Sequence, residues 1–203
     1  VKNQYNKLKA KILSKKASIA VIGQGYVGLP TSILFSQKKF RVIGYDSDKK
    51  LIKKLNKSNL NINGVKKNLI KRYKINNIFS SSPKILKNAD IFIICLPTPL
   101  KRQQPDLSHI KKFIELIYKD NINEKLIILE STTYPTTTRN LISNKLFKKN
   151  MVVGKNYFVG FSPERISPGQ NSNLTRIPKL YCGITNECTI LIKLLYSFVF
   201  KKL

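Results

Sequence analysis

Ile19-Ala20-Val21-Ile22, followed at once by Gly23-Gln24-Gly25-Tyr26-Val27-Gly28, decides how this chain is read. The apolar run is too brief for a helix and β-branched enough to predict a buried strand. Past the glycines, Leu29, Ile33 and Leu34 recur at helical spacing, and a second run from Phe40 to Tyr45 ends in Asp46. Ala17 to Asp46 therefore predicts strand, glycine turn, helix, strand and acid in that order.

Each of these residue types has a task in a dinucleotide site. Gly23 permits a tight exit from the strand, Gly25 lets the backbone approach a pyrophosphate, and Gly28 lets helix and sheet pack closely. The diphosphate would sit at the helix N-terminus, where the macrodipole is positive. Asp46 lies 18 residues beyond Gly28, near the roughly 20 expected of an acid that accepts hydrogen bonds from an adenosine ribose. A carboxylate there repels a 2′-phosphate, which favours NAD over NADP. A glycine-punctuated βαβ unit with an empty crevice would carry the same glycines; the flanking strand and helix and the acid in place favour coenzyme binding.

A chain of 203 residues with 42% hydrophobic content can hold one generous domain with a real core. No run approaches the roughly 18 to 20 apolar residues of a membrane span. Val1 to Lys16 is lysine-rich, with Tyr5, Leu8, Ile12 and Leu13 at helical spacing. It has neither the apolar core nor the cleavage site of a signal peptide, so residues 1–16 predict an amphipathic lead-in helix and residues 17–203 the domain itself. The expected compartment is the cytoplasm, or the reducing equivalent in an endosymbiont or organelle. Cys95, Cys182 and Cys188 make neither a metal spacing nor an even disulfide set, so reduced thiols and no metal are expected.

The net charge of +28 would attract polyanions. The lysines are scattered through nearly every segment, however, and only Arg41, Arg72, Arg102, Arg139, Arg165 and Arg176 are arginine. A nucleic-acid surface would favour clustered arginine with interleaved aromatics. Abundant Lys, Asn and Ile instead suggest a compositionally biased genome, so neither a specific nucleic acid nor a membrane is expected as partner.

Farther along, Leu51, Ile52 and Leu55 predict a helix after the capping residues Ser47 and Asp48. Lys57 to Asn77 reads as a polar excursion with one short helix at Val65 to Tyr73. Ile91 to Leu96 is an uninterrupted apolar run that fits a parallel strand covered on both faces, and it stops at Pro97-Thr98-Pro99. After a basic loop, Ile110, Phe113, Ile114, Ile117 and Tyr118 mark a helix capped by Pro105-Asp106-Leu107-Ser108, with His109 as a solvated residue in its first turn. Leu126 to Leu129 predicts a strand, and Leu141, Ile142 and Leu146 a helix. Tyr157 to Phe161 predicts another strand, Leu180 to Ile184 a last one, and Ile190 to Val199 a closing amphipathic helix. The alternation implies a Rossmann-like α/β fold, a doubly wound, mostly parallel sheet with helices on both faces. In such sheets function gathers at the carboxyl ends of the strands.

Those strand ends carry a resemblance. Gly-Gln-Gly-Tyr-Val-Gly-Leu-Pro at 23–30, Pro-Thr-Pro-Leu at 97–100, Pro-Asp-Leu-Ser at 105–108, Glu-Ser-Thr-Thr-Tyr-Pro at 130–135, Ser-Pro-Glu-Arg-Ile at 162–166 with Pro168-Gly169, and Ile177-Pro178-Lys179 resemble, in the same order, the UDP-glucose/GDP-mannose dehydrogenase family. The forms at 130–135 and 162–165 look most like its UDP-N-acetylhexosamine 6-dehydrogenase branch, UDP-N-acetylglucosamine type. The resemblance implies an NAD-dependent oxidoreductase of polysaccharide biosynthesis. Such an enzyme oxidises the C6 hydroxyl of a UDP-sugar to a carboxylate with two NAD⁺, through a cysteine-bound thiohemiacetal and thioester. By the same likeness Gly23, Gln24, Gly25, Tyr26, Val27, Gly28 and Asp46 form the coenzyme cradle, and Pro97, Thr98 and Pro99 run along the coenzyme. Thr133 helps to hold a catalytic water at the coenzyme, Glu164 activates that water, and Glu164 with Arg165 positions the substrate.

Some positions depart from the family pattern. Gln24 replaces an apolar residue, Leu51 stands where a Lys or Arg often supports the cofactor, and Thr136 replaces a glycine. The family's nucleophilic cysteine motif, its central helix and its second, sugar-nucleotide domain have no counterpart before Leu203. The chain thus reads as the coenzyme half of such an enzyme, inactive alone and calling for a complementary domain or a homodimer. A degenerate, non-catalytic NAD binder and a basic polyanion-binding Rossmann protein are the competing readings.

Overall fold

β1 (Ser18–Ile22), completely buried, is the centre of the molecule and pairs in parallel with β2 (Arg41–Tyr45) on one side and β4 (Ile91–Ile94) on the other. The computed structural model describes residues 2–59, 65, 67–73, 77–118, 124–144, 151–164 and 177–203. β3 (Asn77–Ser80) extends the sheet beyond β2, and β7 (Leu126–Leu129), β8 (Phe158–Phe161) and β9 (Cys182–Gly183) extend it beyond β4. The order is β3-β2-β1-β4-β7-β8-β9, parallel throughout except for β9. β5 (Leu100–Lys101) and β6 (Gln104–Pro105) form a separate antiparallel ribbon.

Alternate residues of each inner strand feed two cores, because side chains in a strand point to opposite faces. Ile19, Val21, Ile91, Ile93, Leu126 and Ile128 pack under α1 (Lys2–Leu13), α2 (Gly28–Gln37) and α6 (Asn186–Ser197). Ala20, Ile22, Phe92, Ile94, Ile127 and Leu129 pack under α5 (Ser108–Tyr118) and Ile142 of a π-helical turn, Arg139–Ser143. A third cluster joins Leu29 and Ile33 of α2 to α3 (Lys49–Asn56) and α4 (Lys67–Tyr73). Helices thus cover both faces, as the continuous apolar strands require.

The lead-in segment is a helix, with Leu8 and Ile12 buried and Tyr5 edge-on to Phe158. Leu13, expected on the same face, is 54% exposed. Lys11 Nζ meets Asp90 Oδ1 at 2.6 Å while Asp90 Oδ2 accepts the Ser18 N–H at 2.9 Å, which fastens this helix to the entry of β1. α6 buries Leu191, Ile192, Leu195 and Tyr196 and leaves Ile190 38% exposed.

Four local readings needed correction. β3 lies at the end of what reads as a polar excursion, and the basic loop after β4 is the β5–β6 ribbon. The helix after β7 is a π-helical turn through 143, and the predicted Leu146 lies outside the described residues. The strand at Leu180 to Ile184 shrinks to two antiparallel residues. Among the described residues no helix is long and apolar enough to cross a membrane.

Candidate functional site

The strand order reverses between β1 and β4, and the carboxyl ends of these neighbours open a crevice of about 370 Å³. A doubly wound sheet binds its ligand at this point, because the connections leave to opposite faces there. Gly23, Gly25, Tyr26 and Val27 form the middle of the wall. Asp46, Ser47, Asp48 and Leu51 stand at the β2 end; Cys95, Leu96, Pro97, Thr98, Glu130, Ser131, Thr132 and Glu164 stand at the other. His109 is exposed at the rim.

The three glycines are needed for three different reasons. Gly23 has φ +90°, and a Cβ there would meet the Cys95 carbonyl oxygen at 2.8 Å. At Gly28 a Cβ would fall 1.7 Å from the Gly23 carbonyl oxygen, so the helix start is seated on the strand exit. A Cβ at Gly25 would meet nothing within 4 Å. The fold itself has no need of a glycine at 25; the opening above its backbone does, and this is the space a pyrophosphate fills in such a cradle. Asp46 Oδ2 accepts the Gln24 N–H at 2.8 Å and Oδ1 accepts the Asp48 N–H at 2.9 Å. A carboxylate offers about four acceptor sites, so the fixed group keeps capacity for a ribose diol. The site therefore fits NAD.

Gln24 is fully buried and does not line the crevice. Its side chain turns into the core, where Nε2 donates to the Val21 carbonyl at 2.9 Å and Oε1 accepts from Ser32 Oγ at 3.1 Å. A buried amide with both ends satisfied can replace the apolar residue of the family pattern. Pro99 lies outside the crevice lining, its carbonyl accepting the Asp106 N–H at the foot of the ribbon. Thr98 Oγ1 donates to the Thr132 carbonyl at 2.7 Å and ties the β4 and β7 ends together. Thr133 does not line the crevice. It borders a neighbouring hollow of about 340 Å³ with Tyr134, Gly160, Phe161 and Cys182, and its hydroxyl donates to Thr137 Oγ1 at 2.6 Å. Arg165 lies outside the described residues.

Sequence reasoning missed a buried polar cluster at the β7 end. Glu130 is 1% exposed, and its Oε1 accepts from Tyr196 Oη at 2.5 Å and lies 3.2 Å from Lys179 Nζ. Lys179, 6% exposed, also reaches Glu164 Oε2 at 3.3 Å. Cys95 Sγ aims its weak donor at Glu130 Oε2, 3.9 Å away. Burial disfavours the Lys179 ammonium, but Glu130 and then Glu164 outweigh it and raise its pKa above the usual lysine value. Burial first and the Glu130 charge second push the Cys95 thiol and the Tyr196 phenol well up, so both are neutral donors. The signal available in the sequence was a carboxylate directly after Leu126-Ile127-Ile128-Leu129, where burial of the strand extends to the next residue. Removing one member of a buried ion pair strands the other charge, at about 3–5 kcal/mol. Lys179→Met should accordingly lower the stability of the chain by that order in urea melts, and Lys179→Arg by clearly less.

The sheet order, the three glycines and the acid after β2 define a Rossmann dinucleotide-binding domain with NAD as coenzyme. The chain belongs to the UDP-glucose/GDP-mannose dehydrogenase family, whose NAD binding domain matches residues 17–199. It is 38% identical over 185 residues to Protein CapL of Staphylococcus aureus, covering 90% of this chain and 43% of that protein. It is 33% identical over 186 residues to a UDP-N-acetyl-D-glucosamine 6-dehydrogenase of Salmonella typhi, again 90% and 43%. Among solved structures, the UDP-D-ManNAc dehydrogenase of Pyrococcus horikoshii superimposes with TM-score 0.85 at 30% identity, covering 91% of this chain and 45% of that one. The chain thus spans less than half the length of the relatives it matches.

Proposed function

We propose that this chain is the coenzyme-binding half of a UDP-N-acetylhexosamine 6-dehydrogenase. The observation that carries the reading is the open space over Gly25 in the same crevice as Asp46. Bound NAD⁺ would supply the hydride acceptor for oxidation of the sugar C6 alcohol and then of the aldehyde. Gly25 gives the pyrophosphate its place, and Asp46 holds the adenosine ribose. Pro97 and Thr98 wall the coenzyme from the β4 side. Glu164, anchored by Lys179, is the carboxylate available at the far end to accept a proton from an attacking water. Thr133, one residue beyond the crevice wall at Thr132, is the hydroxyl proposed to steady that water. Arg165, beside Glu164 in sequence, is the cation proposed for the substrate. Relatives named for UDP-N-acetyl-D-glucosamine and for UDP-N-acetyl-D-mannosamine support the substrate class.

Titration calorimetry with both coenzymes tests the reading. NAD(H) should bind at least about tenfold tighter than NADP(H), because a phosphate a few ångströms from a carboxylate costs on the order of 1–2 kcal/mol near a protein surface. Asp46→Ala should narrow that gap. Equal affinities in the parent chain, or a preference for NADP(H), would overturn the assignment.

A further inference from the structure

Glu130 and Glu164 line the crevice, whereas the cation between them does not. Lys179 Nζ contacts Glu130 Oε1 at 3.2 Å and Glu164 Oε2 at 3.3 Å, and it lies over the rings of Tyr196 and Phe200, bordering a separate small recess. The arrangement therefore sets Glu164 in the crevice wall with Glu130 buried just beneath it, and keeps its positive charge behind them. An acid that holds the adenosine ribose at the β2 end sends the rest of a dinucleotide across the reversal point toward β4, β7 and β8. The nicotinamide ring is thus directed to the end that carries these two carboxylates. The oxidised ring is a cation and the reduced ring is neutral; the two forms of the coenzyme otherwise present the same groups to the protein. A fixed local charge is consequently a means of telling them apart.

We propose that Glu130 and Glu164 discriminate between the redox states of the coenzyme, holding the cationic nicotinamide of NAD⁺ in preference to the neutral ring of NADH. The inference rests on NAD occupying this crevice. Such a bias speeds turnover in any reaction that consumes NAD⁺ repeatedly, because the reduced product is held less firmly than the oxidised form that must replace it. The chain's overall charge of +28 acts in the opposite sense, since NADH carries one more net negative charge. That distant charge is screened over roughly 8–10 Å in physiological salt. The change between parent and variant therefore isolates the local effect.

The test is calorimetric titration of the 203-residue chain with NAD⁺ and with NADH, for the parent, Glu164→Gln and Glu130→Gln. One unit charge about 8 Å from the ring, at an effective dielectric near 40, changes an equilibrium constant by about fivefold. Each variant should lower the ratio of the NADH to the NAD⁺ dissociation constant by about that factor, mainly through weaker NAD⁺ binding. Lys179→Arg, which preserves the charge, should leave the ratio at the parent value. Glu130→Gln removes a buried charge and tests the same sign at a second position; should it fail to fold, Glu164→Gln, with a side chain 17% exposed, stands alone. A folded Glu164→Gln whose two dissociation constants move together, leaving the ratio unchanged, would overturn the proposal and reduce the pair to a structural one. Absence of binding of either form to the parent chain would instead overturn the coenzyme reading, and the discrimination with it.

Discussion

Gly25→Val is expected to fold as the parent chain does and to lose NAD binding by about a hundredfold or more, some 2.7 kcal/mol. The two halves of this expectation come from one observation. A Cβ at position 25 meets no atom within 4 Å, so the added side chain costs the empty chain little. The same open space is where the dinucleotide must bring its pyrophosphate against the backbone, and a branched side chain fills it. Gly28→Val makes the control. Its Cβ would overlap the Gly23 carbonyl oxygen at 1.7 Å, so it should lower the melting temperature sharply whether or not coenzyme is present. Thermal melts with and without saturating NAD⁺ separate the cases: the parent gains stability from ligand by mass action, while Gly25→Val should melt near the parent's ligand-free temperature and gain nothing. Full ligand stabilisation of Gly25→Val would move the coenzyme elsewhere.

The sheet was legible because its inner strands are single-minded. Ile19 to Ile22, Ile91 to Ile94 and Leu126 to Leu129 are apolar at every position, and only a strand covered on both faces uses such runs between glycine or proline stops. The edges were not legible for the opposite reason. β3 begins at Asn77 and is paired on one side only, so its four residues carry little of the pattern that identifies a strand. β9 is two residues long, set against β8 by the turn into α6 rather than by any periodicity of its own. At Arg139–Ser143 the hydrophobic spacing of Leu141 and Ile142 was read correctly as helical, but such spacing does not distinguish an α-helical from a π-helical turn.

The site divides in the same way. Gly23, Gly25, Gly28 and Asp46 are neighbours through one βαβ unit, where sequence spacing fixes spatial spacing, so their arrangement could be read in advance. Glu130, Lys179 and Tyr196 come together from the end of β7, the segment before β9 and the last turn of α6. Nothing in the local spacing brings a lysine 49 residues away onto a carboxylate. Gln24 belongs to the cradle only by likeness of the whole loop to the family; its amide is turned inward and satisfied by Val21 and Ser32, which no spacing within the loop announces.

Incubated with NAD⁺ and UDP-N-acetylglucosamine, the 203-residue chain is expected to produce no NADH above background, although it binds the coenzyme and carries Thr133 and Glu164. The route proposed for the family passes through a thiolate that traps the aldehyde, and removal of the nucleophile from a covalent mechanism leaves little of the rate. None of the three thiols is set up for that task. Cys95 is half-buried in the crevice wall beside Glu130, and burial first and that charge second push its thiol well up, so it stays protonated. Cys188 is buried in α6, its sulfur accepting the Val159 N–H at 3.3 Å and the Thr185 hydroxyl at 3.4 Å. Cys182 alone of the three is exposed, and it borders the hollow that also contains Thr133 rather than the crevice lined by Glu164. Thr133 and Glu164 line two different hollows, so an alcohol in either one would lack the other group unless bound substrate or coenzyme brings them together. Following NADH absorbance for the parent chain and for Cys182→Ser decides the point. Robust turnover that disappears in Cys182→Ser would give this thiol the nucleophilic role and make the two hollows one active site; no turnover in either leaves the chain as the coenzyme-binding half of the reaction.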